Sequence, residues 1–543
     1  MFKSLVLNIV YFRRYSILGG LLLSLWFISN NSYAVQIDLA SANITEINAA
    51  FDAGTLNSEK LVQLYLNRID AYNKKGPAIN AVLLLNPNAM VQARKLDAER
   101  LEKGRRSPMH GIPVVIKDNL DTADMPTTAG SFLLKNSYPP DDAFLVKKLR
   151  DAGAIIIAKL NMSEFASGEA LSSLGGEIGN PHSHTRSPSG SSGGTGAAIA
   201  AVFASVGLGT DTGGSVRYPS SANGIVGLKT THGLLSRDGV VPLALSFDTV
   251  GPMARSVTDV AVALGVMTGV DKADDATQKS VNRYETNYTQ FLDADSLKGA
   301  RIGVARVFMG GDAEVDWVVE SALQSMRDAG AEIIDVEFPT WLLESRGEFY
   351  RAIRYPEFKT QIAEYLATLA PEYPKTLSEL ISRAMQLTAK NEDGAIPNAT
   401  RWSLMMEEDK SDELTDYKYT VVRDHALPLV RATIEGLLNA EQLDAIVYPT
   451  QPTPAELIEV PSMGSISAGS GESPVILANL SGFPDLILPA GFTARGLPVT
   501  LSFMGPAFSE PKLIGLGFAL EQRLKAIRLP VLTPSLENET IRY

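Results

Sequence analysis

The stretch GSSGGTGAAIAAVFASVGLGTDTGGSVRYPSSANGIVGLK, residues 190–229, decides how the chain reads. Its glycines come in clumps on either side of one apolar run, Ala197 to Val206, which reads as a buried passage from helix to strand. A flexible linker would be glycine and serine throughout. Here the clumps mark backbone that turns tightly or approaches something closely, because glycine tolerates left-handed dihedrals and leaves space where a side chain would stand. Two serines, Ser191 and Ser215, sit in those tight places.

Outward from this block, helical and strand patterns alternate. Asn57 and Ser58 ahead of Leu61, Leu64, Tyr65 and Ile69 give a cap and the stripe of an amphipathic helix. Ala81 to Leu85 reads as a strand and Ala89 to Lys103 as a helix. Gly111-Ile112-Pro113-Val114-Val115-Ile116-Lys117-Asp118-Asn119 is a short β-branched strand that delivers a lysine at its end. Phe144 to Asp151 (helix) leads through Gly153 to Ala154–Ala158 (strand), and Arg301–Arg306, Val315–Ala329 and Glu332–Val336 form another strand–helix–strand unit. Strands return at Asp444–Tyr448, Asp485–Leu488 and Val499–Met504, with a last helix through Leu513–Arg523. Near-continuous apolar strands separated by helices predict an α/β fold whose sheet is covered on both faces.

Composition bounds the rest. The chain has 543 residues, 45% of them hydrophobic and 20% charged, which is ordinary globular material. No linker, charge block, low-complexity tract or repeat divides it, so residues 35–543 read as one domain, with a helical, motif-free region at 341–440 expected to form the substrate entrance. A net charge of −12 and the lack of a Lys/Arg cluster argue against a nucleic-acid partner. With no cysteine, disulfides and thiolate chemistry are excluded. Residues 1–34 read as an export signal: Lys3, Arg13 and Arg14 precede the apolar run Ile17 to Ile28, and Ser32-Tyr33-Ala34 supplies small residues at a cleavage site. Its removal takes away three positive charges and no negative one, moving the net charge from −12 to −15. The expected location is a bacterial periplasm, with no stable membrane association after cleavage.

There is no His-Glu-x-x-His and no clustered ligand set, so no metal is expected, and neither a Walker loop nor a dinucleotide motif occurs in the block. Gly190-Ser191-Ser192-Gly193-Gly194 matches a nucleophile elbow literally, but the residues before it, Thr185 to Ser189, cannot form the strand an elbow follows. The five histidines, His110, His182, His184, His232 and His425, read as loop or surface residues. A serine nucleophile without histidine needs another base. A lysine serves if burial strips its proton, and Lys117 is the candidate, following Val114-Val115-Ile116. Asp211-Thr212-Gly213-Gly214-Ser215 offers consecutive backbone N–H groups able to fold into an oxyanion nest.

These residues, with Gly-Ile-Val-Gly-Leu-Lys at 224–229, Ser246 to Arg255, Tyr448-Pro449-Thr450 and Gly482-Phe483-Pro484, resemble the amidase signature family over almost the whole mature chain. The resemblance implies that family's fold, a large mixed twisted sheet, and a cofactor-free serine hydrolase of amides. It implies Ser215 as the acylated nucleophile, Ser191 as the bridging cis-serine, Lys117 as the base and Thr212, Gly213 and Gly214 as oxyanion-hole donors. Ser192, Asp211 and Arg217 take supporting roles. Thr230 departs from the family, which places proline there. The tail Ser502 to Ile514 resembles the branch of bacterial peptide amidases, so the expected partner is a small-molecule or peptide amide. The alternative is the A-type component of a tRNA-linked, glutamine-dependent amidotransferase, which the export signal disfavours; a non-catalytic binder on the same fold is a third reading, set aside because all three triad residues are present.

Overall fold

Residues 190–229 fold as two helix–strand units, Gly193–Ala200, Val206–Asp211, Arg217–Asn223 and Val226–Lys229. The first helix opens within the first glycine clump rather than after it, four residues earlier than the apolar run implied. The reason is proximity, not turning. A Cβ on Gly194 would stand 2.0 Å from the Asn161 carbonyl oxygen and 2.9 Å from that of Ala81, so the helix can lie against those two segments only because this position lacks a side chain. The computed structural model describes residues 36–458 and 474–542; the export-signal reading of residues 1–34 lies outside them.

Eleven strands make one sheet. In chain order they are β1 (Val82–Leu85), β2 (Pro113–Lys117), β3 (Ile155–Leu160), β4 (Val206–Asp211), β5 (Val226–Lys229), β6 (Thr249–Ala254), β7 (Arg301–Val304), β8 (Glu332–Asp335), β9 (Ala445–Pro449), β10 (Asp485–Phe492) and β11 (Pro498–Met504). Their spatial order is β8-β7-β9-β11-β10-β5-β6-β4-β2-β3-β1. β2 runs parallel to both β3 and β4, and β7 runs parallel to both β8 and β9. The remaining neighbours are antiparallel, so the sheet is mixed.

Every residue of β2, β3, β4, β5 and β6 is buried. Because successive side chains of a strand point to opposite faces, burial at every position requires cover on both sides, as the apolar runs predicted. The edge strands β1 and β8 instead carry exposed positions. The Gly193–Ala200 helix packs on β4 and Val257–Met267 on β6, while Glu510–Leu524 and Ala313–Asp328 pack against β10 and β11.

The sequence-predicted elements appear with ends shifted by a few residues, including Ser58–Tyr72 with Asn57 accepting a hydrogen bond from the Lys60 amide. Elements not read from the sequence include β6, the Val257–Met267 helix and two near the chain's ends. One is the helix Ile44–Asp52, closed by a reciprocal Asn43–Glu46 cap. The other is the pairing of Gln36–Asp38 with Thr540–Arg542, which ties the two ends of the described chain together. Region 341–440 is helical, with Thr340–Thr368, Leu377–Ala384, Ala399–Asp409 and Leu427–Ala440, and builds two further apolar clusters around Ile353, Val430 and Tyr448 and around Phe358, Leu380 and Trp402. Among the described residues no helix is long and apolar enough to cross a membrane.

Gly194→Ala distinguishes the two effects acting at that position. Helix propensity alone favours alanine by about 1 kcal/mol, whereas a methyl group 2.0 Å from a backbone oxygen forces the helix away from Asn161 and Ala81. Overpacking of this kind costs about 1–3 kcal/mol or more. Net destabilisation is therefore expected in denaturant unfolding; a variant as stable as the parent would contradict the close approach.

Candidate active site

Lys117 ends β2 and Asp211 ends β4, two parallel neighbours in the middle of the sheet, so the chain's candidate residues gather at strand C-termini, where open α/β sheets place their ligands. Register puts Val114 opposite Val206 and Ile116 opposite Leu208. Lys117 is fully buried, and its Nζ donates to Ser191 Oγ at 2.7 Å and to Thr210 Oγ1 at 2.7 Å. Asn119 Nδ2 also donates to Thr210 Oγ1, at 3.1 Å.

Both of the lysine's partners are hydroxyls. Burial lowers its pKa to about 7, against the opposing pull of the Asp211 and Asp248 carboxylates. A lysine of this kind is deprotonated in a large fraction of molecules at neutral pH.

Ser191 follows a cis Gly190–Ser191 peptide bond, and its carbonyl accepts the Ser163 amide at 3.0 Å. The Ser192 amide donates to the Ser215 carbonyl at 3.3 Å, holding the two serine segments side by side. Ser192 Oγ donates to the Thr210 carbonyl at 3.2 Å and accepts the Thr210 amide at 3.3 Å, which stitches the serine segment to the end of β4. Among the described residues no hydrogen bond joins Ser191 Oγ to Ser215 Oγ. From Ser205 to Val216, Ser215 alone is partly exposed. The loop thus shields its backbone and presents one hydroxyl.

Asp211 shapes that loop. Its Oδ1 accepts the Gly214 amide at 2.9 Å and its Oδ2 the Val216 amide at 3.0 Å. Gly214 has φ +120°, and a Cβ there would meet the Tyr218 ring at 2.5 Å, so both backbone and space demand glycine. Burial by itself would raise the Asp211 pKa, but the Arg217 guanidinium, in a two-pronged contact at 3.0 Å from each oxygen, holds it well below the carboxylate range. Arg217 also donates to Asp485 Oδ2 at 2.9 Å, to the Val475 carbonyl at 2.5 Å and to Asn479 Oδ1 at 2.5 Å. Asp211 and Arg217 therefore anchor the loop. Thr212 donates through its hydroxyl to the buried Asp248 carboxylate, which also accepts the Leu243 and Ala244 amides at 2.9 and 3.0 Å. Burial raises Asp248 to about 6.

The structure thus gathers Lys117, Ser191, Ser192, Asp211, Thr212, Gly213, Gly214, Ser215 and Arg217 at one place. Sequence reasoning missed Thr210, Asp248, Asn479 and Asp485. Thr210 had a signal: strand alternation puts it on the face opposite Asp211, where Lys117 Nζ reaches it. His110 and His182 lie in loops, as read, but their side chains are not at the surface. His110 is fully buried and bonded between the Leu96 carbonyl and the Arg106 amide, and His182 meets the Asn223 carbonyl, because closely packed loops here lie inside. Among the described residues no group of acidic or histidine side chains could hold a metal ion.

Comparison with known proteins agrees with this geometry. A family model described as Amidase matches residues 60–514. The A component of the glutamyl-tRNA(Gln) amidotransferase of Caldanaerobacter subterraneus is 33% identical over 494 residues, 90% of this chain and 98% of that protein. A probable amidase of Arabidopsis thaliana is 34% identical over 92% of this chain and 95% of its own length. Among solved structures, the native peptide amidase from Stenotrophomonas maltophilia superposes with a TM-score of 0.82 at 39% identity, covering 91% of this chain and 99% of that one. The chain belongs to the amidase signature family.

Proposed function

We propose that this protein is an exported amidase that hydrolyses a carboxamide, with the C-terminal amide of a peptide as the favoured substrate, to the acid and ammonia. The observation that carries the reading is the fully buried Lys117 ammonium site, 2.7 Å from Ser191 Oγ and brought down to about 7. In its neutral form Lys117 takes the Ser191 hydroxyl proton as Ser191 Oγ takes that of Ser215, and Ser215 Oγ adds to the amide carbonyl carbon. The oxyanion faces the Thr212 and Gly213 amides of the loop that Asp211 organises, whereas the Gly214 amide, expected as a third donor, is taken by Asp211 Oδ1. The C–N bond then breaks, the proton held by Lys117 returns through Ser191 to the departing ammonia, and water hydrolyses the Ser215 ester by the same relay. No step calls for a cofactor.

Support for a peptide amide comes from the likeness to the peptide amidase of Stenotrophomonas maltophilia and to a peptide amidase solved with the competitive inhibitor chymostatin. The helical region 341–440 is assigned the substrate entrance. The loop 163–168 borders Ser191 through the Ser163 amide, and Arg354 of the long helix donates to Ser167 Oγ at 2.8 Å, so helical region and site are in contact. A second reading follows from the A components of glutamyl-tRNA(Gln) amidotransferases, several of which are 33–36% identical to this chain. In it, glutamine supplies ammonia to a partner-bound acceptor.

The two readings separate in one assay. Protein recovered from the periplasmic fraction, with Val35 as its first residue, is expected to release ammonia from peptide amides faster than from glutamine, and Ser215→Ala to lose at least about 10³-fold of that rate. Glutamine as the sole substrate, or recovery only in a cytoplasmic complex, would favour the amidotransferase.

Because only neutral Lys117 is a base, kcat/KM should fall about tenfold per pH unit below the lysine's pKa near 7 and level off above it. The Asp248 carboxylate raises that pKa, so Asp248→Asn is expected to move the acid limb to lower pH. A limb that stays in place, with only the rate reduced, would leave Asp248 no electrostatic part.

A further inference from the structure

Away from Ser215, at the ends of β5 and β10 where they meet the Glu510–Leu524 helix, lies a cavity of about 200 Å³. Thr231 and Ser481 form part of its wall, and Lys279, Arg283, Arg431 and Glu435 reach its lining. Three cations around one hollow run against the charge of a chain that is −12 overall. Among the described residues none of the three lies within ion-pair distance of a carboxylate, whereas surface arginines elsewhere, such as Arg301 and Arg306, find acidic partners.

Two of the cations are also held in place. The Arg283 guanidinium lies over the Phe508 ring, 5.2 Å from its centroid. Arg431 Nε donates to the Ser481 carbonyl at 2.8 Å, and its outer nitrogens have no hydrogen-bond partner among the described residues. Lys279 is pulled below its ordinary pKa by burial and then by Arg431 and Arg237, with Asp274 acting in the opposite direction, so like charges crowd this site. His232, also in the lining, is brought down to about 3 by burial and then by Arg237, so it stays neutral and adds no charge. Three cations against the single carboxylate of Glu435 leave a charge of about +2, the complement of a dianion. Guanidinium groups present their N–H donors in a fork that matches phosphate oxygens.

We propose that this cavity binds a phosphate dianion, free or as the phosphate of a small monoester, at a site separate from the amidase centre. Isothermal titration with inorganic phosphate in a zwitterionic buffer at constant ionic strength tests it directly. The wild-type protein should show one saturable site with a dissociation constant of about 1 mM or tighter. Arg283→Gln and Arg431→Gln should each weaken it at least about tenfold, with unchanged thermal unfolding as the control for folding. Glu435→Gln should tighten it, because that change removes the one opposing charge. Titration with glycerol phosphate, matched against the free ion, shows which source of phosphate the cavity prefers. Absence of a saturable site, binding indifferent to all three substitutions, or acetate bound as tightly as phosphate would overturn the proposal.

Discussion

A lysine sealed between two central strands with hydroxyls for partners is the constraint on which this structure turns. Lowering its pKa from 10.5 to about 7 means that the fold disfavours the ammonium form by about 5 kcal/mol. Nothing in stability alone rewards such a residue, since a leucine of similar volume would bury there at no electrostatic cost. The surroundings keep the lysine but withhold an ion-pair partner at contact distance. Asp211 and Asp248 act on it through space only, enough to hold its pKa near neutrality rather than far below it.

The second element is an ion cluster that fixes the loop beside that lysine. Asp211, Arg217 and Asp485 are fully buried, and the cluster joins the ends of β4 and β10 to the Ile476–Ser481 helix through Asn479 and to β9 through the Tyr448 hydroxyl, 2.7 Å from Asp485. Removing one member would strand buried charge, at about 3–5 kcal/mol. In return the Thr212–Ser215 backbone is held with Asp211 on the Gly214 and Val216 amides, before any substrate arrives. Preorganised donors of this kind need no reorientation when charge develops on a carbonyl oxygen.

How far the sequence anticipates this depends on whether a feature is local. The strand ending in Lys117 was legible because four apolar residues lead to one cation, and the Asp211–Ser215 nest because glycines accumulate there. The triad pairing came from resemblance to a family rather than from spacing. What stayed hidden is what tertiary contact decides. Asp248, Asn479 and Asp485 reach the loop from 36 to 268 residues away in sequence. Gly193, Gly194 and Gly196 read as backbone that turns tightly or approaches something closely; they are helical, and the close approach holds at Gly194, but its partner, Asn161, cannot be seen in a one-dimensional pattern. His110 looked peripheral and is enclosed, since loops packed this tightly bury their polar groups once each has a partner.

The chemistry stands on Lys117 being neutral near physiological pH. Its direct test is an NMR titration of the side-chain carbon next to Nζ in lysine-labelled protein, assigned with Lys117→Arg. Lys117 should titrate with a midpoint near 7 in a signal that disappears in the variant; Lys229, also buried and brought to about 7, supplies a second signal that remains. A Lys117 midpoint near 10 would contradict the lysine-base account.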